Sequence, residues 1–97
     1  MGKNNYSFHK KASADLGYIV DWYEQFSPEL GHSFLNELES AIKEILRRPE
    51  SYQVETSKVR RCLLKKFPYI IFFSFKRNMI LILRIRGKQQ RRLKYYA

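Results

Sequence analysis

The residues in this chain best suited to chemistry are cations. Arg84 and Arg86 stand two apart in the run Met79-Ile80-Leu81-Ile82-Leu83-Arg84-Ile85-Arg86, and Lys88, Arg91 and Arg92 follow within a few residues. Arg60 and Arg61 form a second pair, with Lys65 shortly after. From Thr56 to the end there are 13 Lys or Arg and no Asp or Glu, whereas the first 55 residues hold 6 basic and all 9 acidic residues. The two parts carry +13 and −3, which together make the overall +10. A guanidinium is a permanently charged fork of donors that matches phosphate and carboxylate. A surface built from such groups clamps a polyanion or an acidic protein. The plainer alternative is a solvated face kept soluble by charge. So many like charges without an acid among them favour a binding surface, because they repel until a partner relieves them. Arg60, Arg61, Arg84, Arg86, Lys88, Arg91 and Arg92 are therefore the candidate contacts to a target or nucleic acid.

The remaining chemical repertoire is thin. Tyr95 and Tyr96 could stack on bases beside those cations, or pack as an ordinary tail. His9 and His32 lie far from the basic half and suit surface or capping roles. With Cys62 they make no metal-ligand spacing, so neither metal nor cofactor is expected. There is no glycine-rich phosphate loop, no nucleophile elbow and no paired carboxylate in the basic half, which excludes most enzyme classes. What stays open is RNA cleavage by positioning. There the 2′-hydroxyl attacks its neighbouring phosphate, arginines stabilise the developing charge, and a Lys or Tyr moves protons.

These residues need a scaffold, and 97 residues suffice for a single domain over 1–97 with one modest core, burying roughly 65% of the unfolded surface. Cys62 is the only cysteine, so no intrachain disulfide forms and a reducing compartment is expected. No apolar run approaches the ~18 residues of a membrane span, and the N-terminus lacks a signal-peptide core. The expectation is a soluble, cytoplasmic protein.

The elements follow from periodicity. Tyr6-Ser7-Phe8 is a short alternating piece suited to an edge strand. From about Lys11 to Gln25 the apolar residues Leu16, Ile19, Val20, Tyr23 and Phe26 recur at helical spacing, with Asp15, Asp21 and Glu24 outside the stripe. Gly17 interrupts this helix at about 1 kcal/mol unless a close neighbour needs the space. Ser27-Pro28-Glu29 starts a second helix, with a capping serine, a proline at the first position and an acid at the positive end of the dipole. Its apolar set, Leu30, Phe34, Leu35, Leu38, Ala41, Ile42, Ile45 and Leu46, runs until Pro49. The short connection makes the two helices an antiparallel hairpin. Glu50 to Lys58 shows no period and is expected to be a loop. Three strands follow: Val59 to Leu64, Tyr69 to Phe75 and Met79 to Ile85, with turns at Phe67-Pro68 and Lys76-Arg77-Asn78. Tyr69 to Phe73 is apolar throughout, as in a central strand. The last strand alternates, so Met79, Leu81, Leu83 and Ile85 are expected on one face and Ile80, Ile82, Arg84 and Arg86 on the other. The order β-α-α-β-β-β gives an α+β fold: an N-terminal strand, a helical hairpin and a three-stranded antiparallel meander, with the helices on one face of the sheet.

The sequence also resembles a known family. Ala14-Asp15-Leu16, Ile19 to Glu24, Leu30-Gly31, Phe34-Leu35, Glu37-Leu38, Pro49-Glu50, Val59-Arg60-Arg61, Phe67 to Phe73 and Ile80 to Leu83 resemble the RelE/ParE toxin superfamily, ParE branch, over about residues 6 to 88. The resemblance implies the toxin of a bacterial type II toxin–antitoxin pair, silenced by an acidic antitoxin whose C-terminal segment wraps it. Its RelE-like members cut mRNA in the ribosomal A site with Lys and Arg on the sheet. ParE-like members poison DNA gyrase and are not nucleases. Where the ribonuclease branch has an arginine early in the third strand this chain has Ile70. Its second arginine falls at Gln89, by the Gly87-Lys88 match, with Arg91 two residues on, while Tyr95 aligns with the ribonuclease tyrosine. That degraded set favours gyrase inhibition by protein binding. If the chain were instead a ribonuclease, Arg61, Lys65, Arg84, Arg91 and Tyr95 would carry the chemistry. A third alternative is an inactive or adaptor basic domain. The tail departs from the His-x-x-Arg-x-Pro ending common among ParE-like chains.

Overall fold

A computed structural model describes residues 5–90, so the candidate residues Arg91, Arg92, Tyr95 and Tyr96 lie outside the described residues. The order is β1 (Tyr6–Phe8), α1 (Lys10–Glu24), α2 (Pro28–Arg47), a 3-10 turn (Pro49–Ser51), β2 (Val54–Thr56), β3 (Val59–Leu63), β4 (Tyr69–Lys76), β5 (Met79–Gly87) and a 3-10 turn (Lys88–Gln90). The sheet order is β1-β5-β4-β3-β2. β1 runs parallel to β5 and the other pairs are antiparallel. The expected α+β class and the central place of the all-apolar strand both hold.

Local chemistry accounts for the helix limits. His9 caps α1 by accepting the Lys11 N–H at Nδ1, 3.0 Å away. Ser27 caps α2 through Oγ, with Pro28 following at the first helical position. Phe34, Leu38, Ile42 and Ile45 of α2 and Ala12 and Ile19 of α1 are buried against Ile71, Phe73, Ile80, Ile82 and Ile85 of the sheet. Each fully buried side chain of that size stabilises the fold by about 1.5–3 kcal/mol.

Several expectations are corrected. The stretch 50–58 is not a loop throughout: β2 pairs with β3 through Val54↔Arg60 and Thr56↔Val59. It is three residues long with Val54 half exposed, too short to show a period. Phe26 is exposed rather than part of the buried stripe of α1, because the helix ends at Glu24 and the turn leaves helical phase. Leu30 and Leu35 are likewise exposed on α2.

The last correction bears on the arginines. Pairing between β4 and β5 steps from Phe72↔Arg84 to Phe73↔Ile82, leaving Leu83 as the extra residue of a bulge. A bulge shifts the side-chain alternation by one. Ile80, Ile82 and Ile85 therefore all face the core, while Arg84 and Arg86 stand opposite Phe72 and Ile70, two buried residues outside the core between helices and sheet.

Candidate functional site

The cations singled out from sequence do not form one continuous wall. Arg84 donates from Nε and Nη2 to the two oxygens of Asp15 on α1, at 2.8 and 3.0 Å, and both side chains are largely buried. Arg61 reaches Glu55 at 2.8 Å and Gln53 at 3.1 Å on the β2 side. Arg60 donates to the carbonyls of Glu50 and Tyr52 and lies 5.9 Å from the centre of the Phe75 ring. Arg86 lines a cleft against α1, and Lys88 and Lys65 are exposed.

Acids of the helices instead serve the sheet's ends. Beyond Ile82 β5 has no strand on its outer side among the described residues, since β1 stops at Phe8. There Asp15 Oδ2 also accepts the Ile85 N–H at 2.9 Å. On the opposite flank Glu37 of α2 accepts the N–H groups of Lys65 and Lys66 at 2.6 and 2.9 Å, holding the β3–β4 connection against the helix. Carboxylates placed at open strand edges satisfy donors that would otherwise recruit another strand. Composition gave no sign of these roles for Asp15 and Glu37; the only pointers were the Ala14-Asp15-Leu16 and Glu37-Leu38 segments of the resemblance.

The larger opening, about 730 Å³, is a groove between α2 and β3. Ala41, Tyr52, Cys62, Leu64 and Phe67 give it an apolar lining, and Lys65 and Lys66 stand beside Glu37 and Glu44 at its walls. Leu63 is half exposed there. Its backbone faces the open edge: Arg61 N–H bonds outward to Gln53, Leu64 N–H bonds inward to Tyr69, and donors alternate sides along a strand. Among the described residues pairing with β2 ends before this point.

Titration argues against proton transfer by the shifted groups. Burial pushes the Cys62 thiol up to about 11. Burial, together with Cys62 and Glu44, raises the Tyr52 phenol. Burial and the neighbouring Tyr23 raise Tyr69 to about 12. All three move away from neutrality, the wrong direction for a general base. Among the described residues no group of three or more His, Cys, Asp or Glu could hold a metal ion. No helix among them is long and apolar enough to cross a membrane.

Comparison with known proteins agrees with this architecture. No curated protein matches the sequence. Among solved structures, the chain is similar to one described as the chromosomal ParDE TA system from P. aeruginosa, with a TM-score of 0.74 and 26% identity, covering 87% of this chain and 95% of that one. Residues 6–92 match the family described as ParE toxin of type II toxin-antitoxin system, parDE. With the hairpin, the sheet and nearly the whole length accounted for, the chain belongs to the ParE toxin family and is the toxin component of a type II toxin–antitoxin system.

Proposed function

We propose that this toxin acts by binding DNA gyrase rather than by cutting RNA, and that a cognate acidic antitoxin neutralises it from the groove between α2 and β3. The observation that carries the first part is the fate of the ribonuclease positions. Ile70 replaces an arginine and is buried. Arg84 and Arg61 hold Asp15 and Glu55, so using either on a scissile phosphate would break an internal ion pair. The alternative, ribosome-dependent mRNA cleavage, would rest on Lys65, Arg91 and Tyr95 with those two arginines withdrawn. A supercoiling assay with purified toxin tests the lead reading. Loss of supercoiling is expected, and unchanged gyrase activity at excess toxin ends it. Toeprinting on translating ribosomes is expected to show no toxin-dependent cuts.

The groove supports the second part by its chemistry. It offers an apolar lining, an open strand edge at Leu63 and exposed Lys65 and Lys66 at the rim. An acidic, partly apolar segment that orders on binding satisfies all three. Leu63→Asp places a carboxylate at that edge and is expected to weaken antitoxin binding at least tenfold in calorimetry while leaving the fold intact.

A further inference from the structure

We infer that the cleft between α1 and the open end of β5 binds single-stranded nucleic acid, stacking a base on Tyr18 and Trp22 and holding the adjoining phosphate at Arg86. The cleft measures about 560 Å³, a size that accepts a nucleotide. Tyr18 and Trp22 are one turn apart on the same side of α1. They are 80% and 49% exposed, and neither belongs to the core cluster. Single exposed aromatics need no explanation. Here two share a cleft whose far wall is Tyr69, Arg86 and Gly87.

The backbone adds a donor. The Tyr69 N–H donates to the Phe67 carbonyl and the Tyr69 carbonyl accepts from the Leu64 N–H, so its cross-strand pair with Gly87 is the kind without mutual hydrogen bonds. The N–H of Gly87 therefore turns outward, beside Arg86. Charge favours an anion. Asp15, the acid lining the cleft, is tied to Arg84, and Glu24 faces α2 at Gly31. Asp21 sits roughly 80° round the helix from the aromatic pair at 3.6 residues per turn. Exposed Lys11 and Lys88 flank the site in sequence. Aromatic faces set among cations accept stacked bases with little sequence preference. An acidic peptide would use the cations but leave the stacking faces idle. The site is separate from the groove at β3, and the inference does not depend on gyrase being the target.

Trp22 is the sole tryptophan, so its emission reports on the cleft directly. Intact toxin is titrated with short oligothymidylate, oligouridylate, an abasic strand of equal length and polyglutamate, with anisotropy of the labelled ligands as a second readout. Trp22 emission is expected to fall only with the base-bearing strands, and a preference between those two assigns DNA or RNA as the source. Tyr18→Ala, at an exposed position, is expected to weaken their binding roughly 5- to 150-fold, the equivalent of losing one stacked base, and Tyr18→Phe to restore it. The inference is overturned if the abasic strand or polyglutamate binds as tightly as the base-bearing strands, or if Tyr18→Ala leaves their affinity unchanged.

Discussion

Asp15 is the residue on which the arrangement of charge turns. It accepts from Arg84 twice and from the Ile85 N–H once, joining α1 to the sheet where β5 loses its outer neighbour. Asp15→Asn keeps the shape but removes the charge, and is expected to cost about 2–3 kcal/mol in urea unfolding, since the largely buried Arg84 loses the carboxylate that it holds. Arg84→Ala is expected to cost a comparable amount, so loss of toxicity in that variant reports folding before function unless its stability is measured alongside. Cys62 offers a separate check. Its thiol ionises at about 11 in the fold against 9.0 in the unfolded chain, so the unfolded state loses its proton first and is favoured as pH rises. The melting temperature is expected to hold below pH 9 and fall between pH 9 and about 11. Tyr69 extends the fall from 10.0 to about 12. Cys62→Ala is expected to flatten the lower part of that window, and a profile unchanged by the substitution contradicts the assignment.

At the scale of elements, the helices keep their expected apolar stripes except at Phe26, Leu30 and Leu35, and one weak point is open to repair. Gly17 sits within α1 with nothing within 4 Å of where a Cβ would lie, so no close neighbour requires it. Gly17→Ala is expected to stabilise the protein by about 0.5–1 kcal/mol, visible as a higher midpoint in thermal unfolding. Gly31 differs, because a Cβ there would meet Glu24 Cγ at 2.6 Å. The hairpin between β4 and β5 turns on Arg77 and Asn78, with φ of 53° and 65°, the pattern of the two-residue turn that matches strand twist. Asn tolerates that region better than Arg. The bulge at Leu83 is the element-scale feature that periodicity missed. Seven apolar or basic residues in alternation look the same with or without an inserted residue, and only the partner strand shows where the register steps.

For the whole molecule, the charge asymmetry along the chain is partly cancelled in space. Three acids from the first 55 residues, Asp15, Glu37 and Glu55, fold back onto β5, the β3–β4 connection and β3. The net charge remains +10, so long-range attraction to an acidic partner survives even where local pairs are closed. Association with the antitoxin is expected to slow by at least tenfold between low and molar salt, with a smaller change in dissociation, as measured by stopped flow. A salt-independent association rate would contradict steering.

By itself the sequence determined the two helices with the Ser27 cap of the second, the three long strands, the α+β class and the family, because each of these is written in residues that are neighbours along the chain. It also set the charge of each half. Only the tertiary structure decided which cations are committed. Asp15 and Arg84 lie 69 residues apart and Glu37 and Lys65 28 apart, distances over which no local pattern links them. Whether an arginine faces a partner or an internal carboxylate depends on how the helices cross the sheet. Packing of the core sets that crossing, and the charges follow it.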